Sequence, residues 1–229
     1  MVLSSIAIVP SAPVMVPELA SGAAAETGEL RAGAVSAAAA LPQRWIAVGA
    51  ALADTVHGPA SVGTFAGYGV DVRVGLSATS AGDPTAVPLC VLITGWLRGL
   101  AGPQASAEVH AYRTDHDPDT AVGLGRQLRA QIDAGDDEVG VLVVADGANT
   151  LTPSAPGGYA PDSLPRQAAL DDALAAGDAG ALTGVAADAV GRVAFQVLSG
   201  LAEPGPWTAK ELYRGAPFGV GYFVGIWTP

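Results

Sequence analysis

Three side chains in this sequence have types and positions that could do chemistry together. They are Ser11 in "IVPSAPVMVPEL" (Ile8 to Leu19), His57 in "ADTVHGPAS", and Asp146 in "VLVVADGANT". Each follows a stretch that reads as a strand, and the ends of parallel strands are where open α/β sheets hold ligands. A hydroxyl, an imidazole and a carboxylate suit nucleophilic catalysis, in which the base activates the hydroxyl and the acid orients the base. The chain has no G-x-S-x-G elbow, so no motif supports a Ser11-His57-Asp146 triad. Imidazole and carboxylate also suit mononuclear iron, which takes about three protein ligands, typically two histidines and one carboxylate. His57 and Asp146 supply two of these. His110 and His116 are the remaining histidines of a chain that holds three.

Neither of those two has an obvious place in a site. His110 lies in the alternating segment "AEVHAYRT", which reads as an ordinary strand position. His116 sits in "TDHDPDT", where Asp115, Asp117 and Asp119 resemble a metal cluster but match a helix start better. Carboxylates there satisfy free amides and offset the helix dipole. The Gly123-Leu124-Gly125 sequence falls inside that same helix and lacks the third glycine of a dinucleotide fingerprint. The lone cysteine, Cys90, lies in the apolar run "VPLCVLITGWL" and reads as a buried core thiol. One cysteine excludes a disulfide framework within the chain.

The elements that must position these residues follow from pattern. "SSIAIVP" (Ser4 to Pro10) predicts a buried strand, and the alanine-rich stretch Pro17 to Leu41 a helix broken near Gly28. Gln43 to Ala50 completes a β-α-β unit, which favours a parallel pair. Leu52 to Pro84, rich in glycine, serine and threonine, predicts loop with a short strand at Val70 to Val74. Such an insertion more often walls a site than spaces elements. Val87 to Leu100 predicts a buried helix, with strand as the alternative. Ala105 to Thr114 predicts a strand. Asp117 as N-cap, Pro118 and Gly135 delimit the helix that follows. Glu138 to Thr150 predicts a strand that leaves the core at Asp146-Gly147. A proline and glycine loop (Ala155 to Ser163) leads to helices over Arg166 to Ala202 joined near Gly177 and Gly191. A glycine loop and a strand over Gly221 to Trp227 end the sequence. The expected fold is one α/β domain spanning 1-229, with a central, mostly parallel or mixed sheet flanked by helices.

Half of the 229 residues are hydrophobic, enough for a sizeable core. The formal charge of −11, with 11 Lys plus Arg against 22 Asp plus Glu, opposes nucleic acid and anionic membranes as partners. The N-terminus lacks a basic n-region, and Pro10, Pro13 and Pro17 break its apolar stretch, so the expected compartment is the cytoplasm. No window reaches the roughly 20 apolar residues of a membrane span.

Three stretches together resemble the class III extradiol ring-cleavage dioxygenases of the LigB type, in a short divergent branch related to Memo-like proteins. "IVPSAPVMVPEL" resembles the family's strand running into Pro-His-x-Pro. "VLVVADGANTLTPSAPGGYAPDS" resembles its strand followed by Gly-Asp-x-Ser-His and a loop with a later Asp. "YRGAPFGVGYFVGIW" resembles the C-terminal loop and strand of the short branch. The resemblance runs from Ile6 to Trp227 and implies the LigB-like fold. It also implies Fe(II) as cofactor and a homodimer.

The departures bear on function. Ser11 stands where the family's first iron-binding histidine would be. Ala148 and Asn149 fall where its Ser-His would be, and no histidine follows Asp146. Loss of a facial ligand weakens metal binding, and loss of a general base removes roughly 10²–10⁴ in rate. The expectation is therefore a dioxygenase-like scaffold without its iron site or ring-cleavage activity, and with no cofactor. Its cleft, lined by Ser11, His57, Asp146, Asn149 and Tyr159 with Asp162 nearby, would take a small molecule or a protein partner. Two alternatives stay open. One is an active enzyme with a remodelled ligand set of His57, Asp146 and either His110 or His116. The other is a structural subunit serving an active partner.

Overall fold

The first apolar run becomes β1 (Val2–Val9), whose side chains alternate between two helical layers. Ala7 and Val9 face one layer, and Ile6 and Ile8 face the other. This alternation, with both faces covered, is what a central parallel strand requires. The computed structural model describes residues 2–20, 22, 25–203, 205 and 208–228.

Seven of the described strands form one mixed sheet in the order β3-β6-β2-β7-β1-β9-β8. Its centre, β6 (Ser106–Arg113), β2 (Arg44–Ala51), β7 (Glu138–Val144) and β1, is parallel. The edges, β3 (Thr55–His57) on one side and β9 (Tyr222–Thr228) with β8 (Thr208–Gly215) on the other, are antiparallel. Helices α2 (Gly28–Ala39) and α3 (Leu89–Ala101) cover one face around Trp45 and Phe65. Helices α4 (Pro118–Asp133), α5 (Ser163–Ala176) and α6 (Arg192–Ala202) cover the other around Phe195 and Trp227. The protein is thus a single α/β domain with a mixed sheet between helical layers, as its pattern of elements predicts.

Helix α4 starts as its sequence dictates: the Thr120 N–H donates to the Asp117 carboxylate at 3.0 Å, with Pro118 in the first turn. The second glycine of "GLG", Gly125, has a packing reason, whereas Gly123 meets open space. A Cβ on Gly125 would lie 2.0 Å from the Val197 carbonyl oxygen, and one on Gly200 would lie 2.0 Å from that of Val122. Helices α4 and α6 therefore cross backbone to backbone at Gly125 and Gly200.

Elsewhere local pattern and structure part. The stretch read as one broken helix forms a single turn, α1 (Pro17–Ala20), and then α2, which begins at Gly28. Residues 21, 23 and 24 of it lie outside the described residues. The 52–84 insertion holds more strand than expected. It contains β3 and a small antiparallel pair, β4 (Val62–Thr64) with β5 (Arg73–Gly75), in place of one strand at Val70 to Val74. Each is three residues long and is ordered by its partner rather than by propensity. β8 carries no apolar signal because its residues are exposed or half-buried at the sheet edge. Pairing with β9 makes it a strand.

Candidate functional site

Adjacent parallel strands β1 and β7 leave the sheet toward opposite faces. β1 runs through Ser11 to α1 and α2, and β7 runs through Asp146 to α5. Divergence of this kind opens a crevice at the carboxyl ends of the strands. The ladder between them ends with the Ala145 N–H donating to the Val9 carbonyl at 2.9 Å. One step beyond it, the Ser11 N–H donates to the Asp146 carboxylate at 2.7 Å. Around this pair lies a cavity of about 360 Å³, walled by Ser11, Pro13, Asp146, Asn149, Val190 and Tyr222 among others.

The Asp146 backbone is fixed from three directions. Its carbonyl accepts the Gly191 N–H at 2.7 Å, just before α6. Gly147 donates to the Gly221 carbonyl and Gly221 to the Ala148 carbonyl, both at 2.8 Å. Gln167 of α5 accepts the Ala148 N–H at 2.8 Å and donates to Asp171 at 2.8 Å. Here the glycines are compulsory: a Cβ on Gly191 would lie 2.5 Å from that of Ala145, and one on Gly147 would lie 2.1 Å from the Gln167 side-chain oxygen.

Burial pushes the Asp146 carboxyl up to about 7 against the opposing pull of the Ser11 N–H. Burial raises the Tyr222 phenol, and the charge of Asp146, in the same cavity wall, raises it further. Burial also pushes Asp171, behind Gln167, up to about 6. The Cys90 thiol is pushed up to about 12 by burial and packs where Gly49 leaves room for it, so it is the core thiol its sequence suggests.

Of the residues predicted to line a cleft, the structure brings Ser11, Asp146 and Asn149 together. His57, on β3, lines an adjoining lobe of about 590 Å³ with Leu52 and Tyr68. The two spaces share Ala50, Leu89 and Thr114 in their walls. The His57 Nε2 is 3.0 Å from the Thr55 hydroxyl, and burial lowers the pKa of the ring. Tyr159 and Asp162 do not belong to the cavity wall. Tyr159 is half exposed, and Asp162 is exposed immediately before α5 without capping it. The chain doubles back here, with the Gly157 N–H donating to Asn149 and the Ala160 N–H to Thr150, which carries residues 159–162 toward α5.

The ligand set of His57 and Asp146 with His110 or His116 does not assemble. His110 Nε2 lies 2.9 Å from the Glu108 carboxylate on β6. His116 Nε2 lies 2.9 Å from both oxygens of Asp54. Asp115 pairs with Arg113 and Asp117 caps α4. Among the described residues, no three His, Cys, Asp or Glu side chains stand together as a metal site. The donors around Asp146 are a backbone amide, hydroxyls and an amide side chain, which do not fit the two-histidine facial set that Fe(II) takes.

Sequence reasoning missed Gln167, Gly191 and Tyr222. The "PRQAAL" and "AVGR" contexts of the helical region and the final strand give no local sign of them, because each reaches Asp146 or its loop only through the fold.

A scan against protein-family models finds no match, and neither does a search of curated proteins. Among solved structures, the crystal structure of uncharacterized protein JW3007 from Escherichia coli K12 is similar, with a TM-score of 0.55 at 11% identity. The match covers 99% of this chain and 100% of that chain. It shows a shared α/β architecture and nothing finer. No helix among the described residues is long and apolar enough to cross a membrane.

Proposed function

We propose that this protein is a LigB-type, extradiol-dioxygenase-like domain that has lost its iron site and uses the remaining cleft to bind a small molecule. The observation that carries this reading is the Ser11 to Asp146 hydrogen bond. At the position where the family would place its first histidine ligand, the chain offers a backbone amide that occupies one oxygen of the carboxylate. The nearest imidazole by cavity, His57, lies in the adjoining lobe, and burial shifts it toward its neutral form. The two lobes together lie in the size range of small-molecule sites, with apolar walls and few polar groups.

In this reading Asp146 orients the ligand, Tyr222 and Asn149 supply further polar contacts, and Pro13 and Val190 exclude water. We also assign the chain to the cytoplasm, in keeping with the Ser4 to Pro10 stretch being sheet core and the single thiol being buried. The homodimer implied by the family resemblance is part of the proposal, and light scattering of the purified chain tests it.

The experiment for the site is metal content by plasma mass spectrometry on anaerobically purified, iron-supplemented protein, comparing wild type with His57→Ala and Asp146→Ala. The reading expects iron far below stoichiometry in all three. Near-stoichiometric iron that both substitutions abolish would replace it with the remodelled-ligand enzyme.

A further inference from the structure

Resting on the reading of this cleft as a ligand site, we infer that its ligand class is an organic cation: a protonated amine on an apolar body, with the ammonium seated on Asp146. The carboxylate belongs to a residue of the cavity wall and has a single hydrogen-bond donor to its side chain among the described residues, the Ser11 N–H. Among the described residues it has no ion-pair partner, unlike Asp188, which takes the Arg166 guanidinium, or Asp172, which takes that of Arg214. A partly buried carboxylate without a counter-charge is costly, and groups of this kind are concentrated where a ligand or reaction uses them.

The surroundings select the sign of the partner. Among the described residues, no lysine or arginine lines either lobe. His57, the basic group of the outer lobe, is shifted toward its neutral form by burial. The whole chain carries a formal −11, a field that draws cations toward a cleft and repels anions. An ammonium brings the missing charge together with up to three N–H donors for the free carboxylate oxygen. Tyr222, which lines the same cavity, adds an aromatic side chain to its wall. Val190, Pro13 and Val220 offer the apolar contacts that an uncharged body needs.

The test is calorimetric titration of the full chain at pH 8 with three probes of one size: benzylamine, benzyl alcohol and benzoate. Benzylamine should bind at least tenfold more tightly than benzyl alcohol, and benzoate more weakly than either. Asp146→Asn should bring the amine and the alcohol within about twofold of each other. Val190 is half exposed at the cavity mouth, so Val190→Lys keeps the fold while adding a repelling charge. It should weaken benzylamine at least threefold more than it weakens benzyl alcohol. Alcohol binding as tightly as amine, or benzoate binding best, overturns the cation inference while leaving the cleft a ligand site. Binding of none of the three overturns both.

Discussion

Asp146 and Asp54 sit at the same carboxyl edge of the sheet and accept the same kind of bond, a backbone N–H at 2.7 Å, from Ser11 and Arg113 respectively. Their acidities move in opposite directions. Asp54 is half exposed and falls below its ordinary value, chiefly through the Arg113 N–H and then through His116. Asp146 is half-buried in the cavity wall and rises to about 7 because desolvation outweighs its one amide. The comparison teaches that the hydrogen bond alone does not set the behaviour of the carboxylate. What sets it is whether charge is answered by a nearby cation and by water. Asp54 is answered and clamps a loop, whereas Asp146 is unanswered and faces a cavity.

The strongest way to break the contrast is to wedge the crevice apart. Gly191→Val places a side chain against Ala145 and the Asp146 amide, where no space exists, and should cost about 3 kcal/mol or more in urea unfolding. Just after His57, Gly58→Ala meets open space and should stay within about 0.5 kcal/mol of wild type. Equal losses in both variants would mean that the crevice has no special packing.

Asp146→Asn sharpens the comparison in the opposite direction, because it should stabilise the protein. The folded value of about 7 lies above the unfolded 3.8, so the folded state holds this proton more tightly across that window. Stability from this group is therefore full below about pH 4 and declines as pH rises through 7. The asparagine keeps an oxygen for the Ser11 N–H and removes the penalty. We expect a gain on the order of 2 kcal/mol at pH 8, vanishing by pH 4, when thermal melts are compared across pH. A destabilised Asp146→Asn at pH 8 would mean that the carboxylate is answered after all.

Asp54→Asn should show the reverse sign and a smaller size. Its folded value is depressed, so its contribution is present above the unfolded 3.8 and disappears as pH falls through the lower folded value. Because the group is half exposed, the loss at pH 7 should be under about 1 kcal/mol and should shrink in high salt. A loss independent of salt would contradict the ion-pair account.

The parts of the fold legible in the sequence are those whose signal is local. The apolar runs of β1, β2 and β7 announce strands buried on both faces, and Asp117-Pro118 announces α4. Ser11, Asp146 and Asn149 were legible as a group because two of them end strands and the third follows within a turn. What stayed hidden depends on contacts between distant segments. Gln167 matters because its amide bridges Ala148 and Asp171, and no helical pattern marks it out from other polar positions of α5. β3 and β8 take their conformation from β6 and β9. His57, His110 and His116 share one residue type, and only the fold reveals that two of them already face carboxylates.

The central claim is that Asp146 answers to no protein cation and to no iron. A ¹³C NMR titration of its side-chain carboxyl, with and without added Fe(II), tests it directly. The account predicts a midpoint near 7 in both titrations. A midpoint below about 4, or a resonance that Fe(II) broadens away at stoichiometric addition, would contradict it and return the crevice to metal chemistry.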